Sequence, residues 1–294
     1  MKKIVLKGYS KNLTAMMLVW AMLMMPLLAF GQTRISMPRN KYKVQDDVRL
    51  GREAAREVEQ QMPILNDYQD TRYIQEVGQR LVNAIPREFQ HPEFQYTFKI
   101  VNARDINAFA LPGGPMYVNR GMIEAAKNEG EMAGVMAHEL SHVALRHGTA
   151  QATKASNPTA QLPAIGGAIL GAILGGTAGG AIAQAGQVGS AAIITKYSRE
   201  YETQADILGS QIMARAGYDP NDLANMFRTI ERQSGGSGTP EWLSSHPNPG
   251  NRYATIQREA QMLRVSPEPI KYTPGFQRTK QDLAGMSPAP TMQE

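Results

Sequence analysis

The chain has 294 residues, with 31 Lys and Arg against 26 Asp and Glu, and no cysteine. The missing thiol excludes disulfides, thiolate metal ligands and a lipidated N-terminal cysteine. Residues 1–31 hold four of the lysines and no acid, so the remainder is close to neutral and offers no concentrated basic surface for nucleic acid.

Lys2, Lys3, Lys7 and Lys11 precede a charge-free run from Asn12 to Thr33, which ends in LLAFGQ with small residues Ala29 and Gly31 at the cut-site positions. This is the layout of a signal peptide over residues 1–31. A retained signal anchor is the rival reading, because Leu13–Phe30 is nearly long enough to cross a bilayer. Residues 32–265 are expected to form one domain with a sizeable core.

Val44, Val48, Ala55 and Val58 carry helical spacing over 44–61. Tyr73, Val77, Leu81 and Ile85 mark a second helix. The period then changes to two in Phe94, Tyr96, Phe98 and Ile100, as in a half-buried strand. DINAFALPGGPMYVN reads as two short strands joined at Pro112-Gly113-Gly114. Asn128 and Glu131 form a capping pair ahead of a helix reaching about Thr149. The segment 155–195 has no charge and is rich in Gly and Ala. KYSREYETQADILGSQIMARAG is helical again and closes at Gly217. Asp219 and Pro220 open the next helix, GGSG at 235–238 is a loop, and HPNPGNRYATIQREAQML supplies a short loop and the last helix. Residues 266–294 read as a loose tail.

The chemistry gathers in VMAHELSHVALRH. On a helix, His138 and His142 project from one face a turn apart, and together they can hold one Zn²⁺. Glu139 lies beside them and can reach a water on that ion. Val135, Met136, Ala137, Leu140 and Val143 make the helix mostly buried, so the polar side chains need partners. His147 falls about 180° around from His138, which rejects it as the third ligand and makes it a helix-end residue near the dipole. Glu202 in SREYETQAD is the best third ligand. Asp206, one turn on, is assigned to hydrogen-bond a ligand imidazole and fix its tautomer. A solvated acidic edge paired with Arg199 or Arg215 is the competing account of these two carboxylates.

HELSH followed by ETQAD and HPNPGNR, with INAFALPGGPMYVNRGMI ahead of them, resembles the HtpX- and CAAX-prenyl-protease-type zinc metallopeptidases, within them the soluble periplasmic BepA/LoiP-like branch. The likeness runs from about Val44 to Leu263. It departs from that family in two expectations: no tetratricopeptide repeats follow, and there are no multiple membrane spans. The resemblance implies an α+β, mainly helical zincin-like domain whose small sheet sets its edge strand by the active-site helix. It implies one Zn²⁺ on His138, His142 and Glu202, with Glu139 as general base. It places His246 and Arg252 near the ion as stabilisers of the oxyanion, and raises the further idea that His246 fills the fourth metal position and makes the enzyme latent.

Asn107, Ala108 and Phe109 are the candidate substrate strand, since proteases commonly pair an extended peptide with a strand edge. An ordinary edge strand protected by prolines is the bland alternative. The uncharged segment cannot be a single membrane span, because His142 before it and Glu202 after it must share one ion. It reads as a lid or plug, with peripheral membrane contact open. The expected function is hydrolysis of misfolded or stalled envelope proteins in the periplasm, with outer-membrane assembly machinery as a partner. A latent metal-binding chaperone or adaptor and a signal-anchored membrane protease are the alternatives.

Overall fold

The computed structural model describes residues 31–154, 197–233, 242, 246 and 251–292. The leader (residues 1–30 of it), the lid segment 155–195 and the GGSG loop lie outside the described residues. Among those described, no helix is long and apolar enough to cross a membrane.

The architecture is mainly helical with one small mixed sheet. Helices α1 (Val44–Gln61) and α2 (Tyr68–Asn83) come first. In α1 the buried residues Leu50, Ala54 and Val58 recur every four positions, and Asp67 caps α2 by accepting from the amides of Gln69 and Asp70. Strands β1 (Thr97–Val101), β2 (Ala108–Ala110) and β3 (Pro115–Asn119) follow. Their order is β1-β3-β2, with β1 parallel and β2 antiparallel to β3. β1 thus begins at Thr97, three residues later than the alternation suggested, and β2 is an edge strand as expected. Gly113 (φ 80°) and Gly114 (φ 123°) supply the left-handed backbone of the turn into β3.

A short helix α3 (Arg120–Ala125) leads into α4 (Glu129–Ala144), every residue of which is buried. Asn128 caps α4 by accepting from the Glu131 amide at 2.9 Å, while the Glu131 carboxylate reaches back to the Lys127 amide at 2.9 Å. The helix stops at Leu145, not near Thr149. Arg146 takes a left-handed φ of 56°, and a new helix α5 (His147–Lys154) begins behind it. A long-range contact holds that bend: Arg146 Nη2 lies 2.5 Å from Asp47 on α1 and donates to Tyr42 O at 2.8 Å.

Helices α6 (Arg199–Arg215) and α7 (Asn221–Gln233) pack on α4, and α8 (Arg252–Met262) packs on α6 and α7. Close approach is possible because two glycines sit at the crossings. A Cβ on Gly209 of α6 would lie 3.2 Å from His138 N, and one on Gly134 of α4 would lie 2.7 Å from Leu223 Cα of α7. Glu129, at the start of α4, ties distant segments together. It accepts from Tyr73 (2.9 Å), Tyr218 (2.7 Å), Arg80 (3.2 Å) and Thr273.

The expected loose tail is folded. Residues 274–285 form helix α9 (Pro274–Gly285), capped by Thr273. Phe276, Thr279 and Leu283 are buried on one face, and burying a Phe or Leu is worth about 1.5–3 kcal/mol each. Beyond it Arg120 donates to Ser287 O at 2.8 Å, and Arg104 N to Pro290 O at 2.9 Å.

Candidate metal centre

Helix α4 brings His138, Glu139 and His142 to one end of the core, α6 brings Glu202 and Asp206, and α8 brings Arg252. All six side chains are buried, as is His246. One ligand atom each from His138, His142, Glu202 and His246 falls within 4.8 Å of the others.

The separations suit a small cation. His138 Nε2 is 3.0 Å from His142 Nε2 and 3.4 Å from Glu202 Oε2, and His142 Nε2 is 3.4 Å from Glu202 Oε1. Donors placed tetrahedrally about 2.0–2.1 Å from one ion would stand about 3.3 Å apart. Charge points the same way. The buried carboxylates Glu139, Glu202 and Asp206 face one buried guanidinium, Arg252, and so leave two negative charges that a divalent cation would neutralise. Glu202 Oε2 accepts no hydrogen bond among the described residues despite its burial. The donor set therefore fits a divalent metal.

Burial works against an ionised Glu202. The imidazoles of His246, His138 and His142 outweigh it and hold the carboxyl well below its usual range. Burial drives His142 well below the ordinary imidazole value and takes His147 down to about 3. For His138, burial and the Arg252 charge oppose protonation, but hydrogen bonds to Asp206 and Glu202 raise it to about 9 in the metal-free site.

Asp206 lies where the sequence suggests, with Oδ1 3.0 Å from His138 Nδ1. Arg252 lies at the cluster as the resemblance implied. Its Nη2 donates to Asp206 Oδ1 at 2.6 Å and its Nε to Oδ2 at 2.9 Å, and its Nη1 is 3.3 Å from Glu202 Oε2. The guanidinium is held by Asp206 through Nε and Nη2, while Nη1, beside Glu202, has no hydrogen-bond partner among the described residues. Phe227 lies under it at 4.1 Å and Trp242 at 5.0 Å.

His246 joins the cluster through Nδ1, 3.1 Å from Glu202 Oε1 and 3.3 Å from His138 Nε2, while its Nε2 is 3.3 Å from Glu139 Oε1. Trp242, which sequence reading did not single out, donates Nε1–H to the same Glu139 oxygen at 3.0 Å and stacks on the His246 ring at 4.7 Å. Its place four residues before His246 was the available signal, and the His246 N–H to Trp242 O bond of 3.0 Å realises it.

His147 departs from its sequence reading. It stands outside the cluster, but not because of an angle on one helix: α4 ends at Ala144, and His147 opens α5, fully buried, instead of closing α4. Its Nδ1 is 2.9 Å from His142 Nδ1 and its Nε2 3.0 Å from Gln204 Oε1, with Tyr201 stacked on the ring at 4.3 Å. Tyr197 covers His142 from another side at 4.0 Å.

The edge strand packs on α4. Its ladder to β3 leaves the backbone groups of Ala108 and Ala110 on the free side, because Asn107 O accepts from Asn119 N at 3.0 Å and Leu111 N donates to Pro115 O at 2.7 Å. The Asn107 side chain is buried beside Met292, with Nδ2 3.8 Å from its sulfur, and Phe109 stacks on Tyr117 at 5.1 Å. The backbone of this strand, not its side chains, is what it can offer a peptide.

The sequence profile of peptidase family M48 matches residues 68–260. The beta-barrel assembly-enhancing protease of Escherichia coli K12 is 28% identical over 246 residues, covering 82% of this chain and 48% of that protein. Its counterpart from Yersinia pestis is 31% identical over 254 residues, covering 83% of this chain and 49% of that protein. Metalloprotease YcaL of Escherichia coli K12 is 31% identical over 150 residues, covering 51% of this chain and 56% of that protein. The chain spans about half the length of the first two relatives. With its HELSH helix and its buried cluster of metal donors, the chain belongs to peptidase family M48.

Proposed function

We propose that the protein is a zinc-dependent endopeptidase acting on cell-envelope polypeptides. The observation that carries this reading is the convergence of His138, His142 and Glu202 within one donor cluster, with Glu139 beside it. His138 and His142 through Nε2, and Glu202 through its carboxylate, would hold the ion. When bound, zinc supplies Lewis acidity, lowering the pKa of water toward about 7. Glu139 takes the proton from the attacking water and delivers it to the leaving amine nitrogen as the carbon–nitrogen bond breaks. Asp206 holds the Nδ1–H of His138, and Arg252 holds Asp206 beside Glu202. The free edge at Ala108 and Ala110 pairs with an extended substrate backbone, which favours unfolded segments over a strict sequence motif.

Misfolded or stalled envelope proteins are the substrate class we propose, with outer-membrane assembly machinery as a partner; the relatives' name, beta-barrel assembly-enhancing protease, supports a link to β-barrel assembly. The signal-like residues 1–31 support export to the periplasm. A lid role for 155–195, with peripheral membrane contact, belongs to the same proposal.

A latent resting state is favoured by one specific observation: His246 meets the metal donors through one ring nitrogen and Glu139 through the other. Glu139→Gln separates an enzyme from a metal-holding adaptor. An endopeptidase loses turnover of an unfolded protein by about 10²–10⁴-fold while keeping its zinc, the usual contribution of a general base. Unchanged processing of that substrate would contradict the reading.

A further inference from the structure

His142 presents Nε2 to the cluster and turns Nδ1 away from it, toward His147 Nδ1 at 2.9 Å. Two ring nitrogens at that distance share one proton, so one donates and the other accepts. A cation on His142 Nε2 occupies that lone pair and leaves the proton on Nδ1. His142 is then the donor and His147 the acceptor. His147 must carry its own proton on Nε2, where Gln204 Oε1 stands at 3.0 Å to receive it. The chain of bonds therefore has one direction, from His142 through His147 to Gln204. Its geometry is held firmly. Tyr201 lies flat on the His147 ring, 8° from parallel, and the left-handed Arg146 starts a new helix at His147. Gln204 sits on α6 between Glu202 and Asp206, so the relay joins both halves of the donor cluster.

We infer that His147 is a positioning residue for the metal centre, a neutral imidazole acceptor that locks His142 in its Nε2-binding tautomer, with Gln204 setting the tautomer of His147. The inference rests on the metal-centre part of the proposed function. A carboxylate or a backbone carbonyl usually fills this role. A neutral ring does so without adding a fourth negative charge to a centre that already buries three carboxylates.

Zinc affinities of the full-length chain, measured by competition with a chromogenic chelator, test it. Circular dichroism and thermal melts of the metal-free proteins accompany the measurement. His147→Phe keeps the ring stack and removes the acceptor, and His147→Asn puts an amide oxygen near the lost nitrogen. Phe should weaken zinc binding about 10–100-fold, the usual effect of losing such a partner, and Asn should recover most of the loss. Parent-like affinity in His147→Phe, or equal weakening in both variants, overturns the inference. Should His147→Phe fail to fold, the partly buried Gln204 decides: Gln204→Leu should bind zinc more weakly than the parent, and parent-like affinity overturns the inference. A parent that binds zinc but cleaves nothing fails the peptidase reading alone, whereas a parent that takes up no zinc overturns both.

Discussion

Arg252 Nη2 donates to Asp206 Oδ1 at 2.6 Å, and both residues are buried. The same oxygen stands 3.0 Å from His138 Nδ1, so a single carboxylate links a helix-borne guanidinium to a metal-facing imidazole. Asp206→Asn keeps the shape and removes the charge. It should lower zinc affinity about 10–100-fold with the fold intact. Arg252→Met leaves Asp206 and Glu202 buried without their cation, and should destabilise the protein by about 3–5 kcal/mol in denaturant titration. Wild-type zinc affinity in the first variant would place Asp206 outside the ligand framework.

His246 Nδ1 lies 3.1 Å from Glu202, and Trp242 and His246 both meet Glu139 Oε1. If this is a closed arrangement of the general base and the open metal position, His246→Ala raises peptidase activity on a flexible substrate such as casein. A rate equal to or below that of the parent, at equal zinc content, would argue that His246 serves the reaction instead of restraining it.

Acid should weaken the metal-free protein through its buried His147. Burial holds His147 down to about 3, below its ordinary value near 6.5. The unfolded chain therefore binds this proton first as pH falls. Stability is complete above about 6.5 and is lost as pH drops from there toward about 3, by about 1.4 kcal/mol per pH unit for one such ring. Denaturant midpoints of parent and His147→Asn should converge as pH falls from 7 to 5. A constant gap would mean the ring titrates normally in the folded state.

The tail makes a separate claim. Phe276 and Leu283 on α9 are buried in the same core as Tyr73 and Met122. Phe276→Ala should cost about 3–5 kcal/mol, as large-to-small changes in a packed core do. A melting temperature within a degree of the parent would return residues 274–285 to a loose tail.

What the sequence revealed, and what it hid, follows the range of the interactions. Helix 44–61 was legible because its apolar spacing is local. His138, Glu139, His142, Glu202 and Asp206 were legible because each lies within one helix turn of its motif partner. The stop at Leu145 was not, since it depends on Arg146 meeting Asp47, 99 residues earlier. Trp242 was missed for the same reason, its partner Glu139 being 103 residues away. His147 lies outside the donor cluster, but the angle argument assumed one continuous helix, and the break at Arg146 that buries the ring at the start of α5 was unseen. For α9 a signal was present and passed over: Thr273 followed by Pro274 is a helix start, and the Thr273 side chain accepts from Phe276 N.

Metal content tests the central claim most directly. Purified parent protein, loaded with zinc and dialysed, should hold one ion per chain by atomic emission, and Glu202→Ala, prepared alongside with its circular dichroism unchanged, should hold close to none. One tightly held zinc in Glu202→Ala, at the affinity of the parent, would contradict the three-residue centre on which the peptidase account stands.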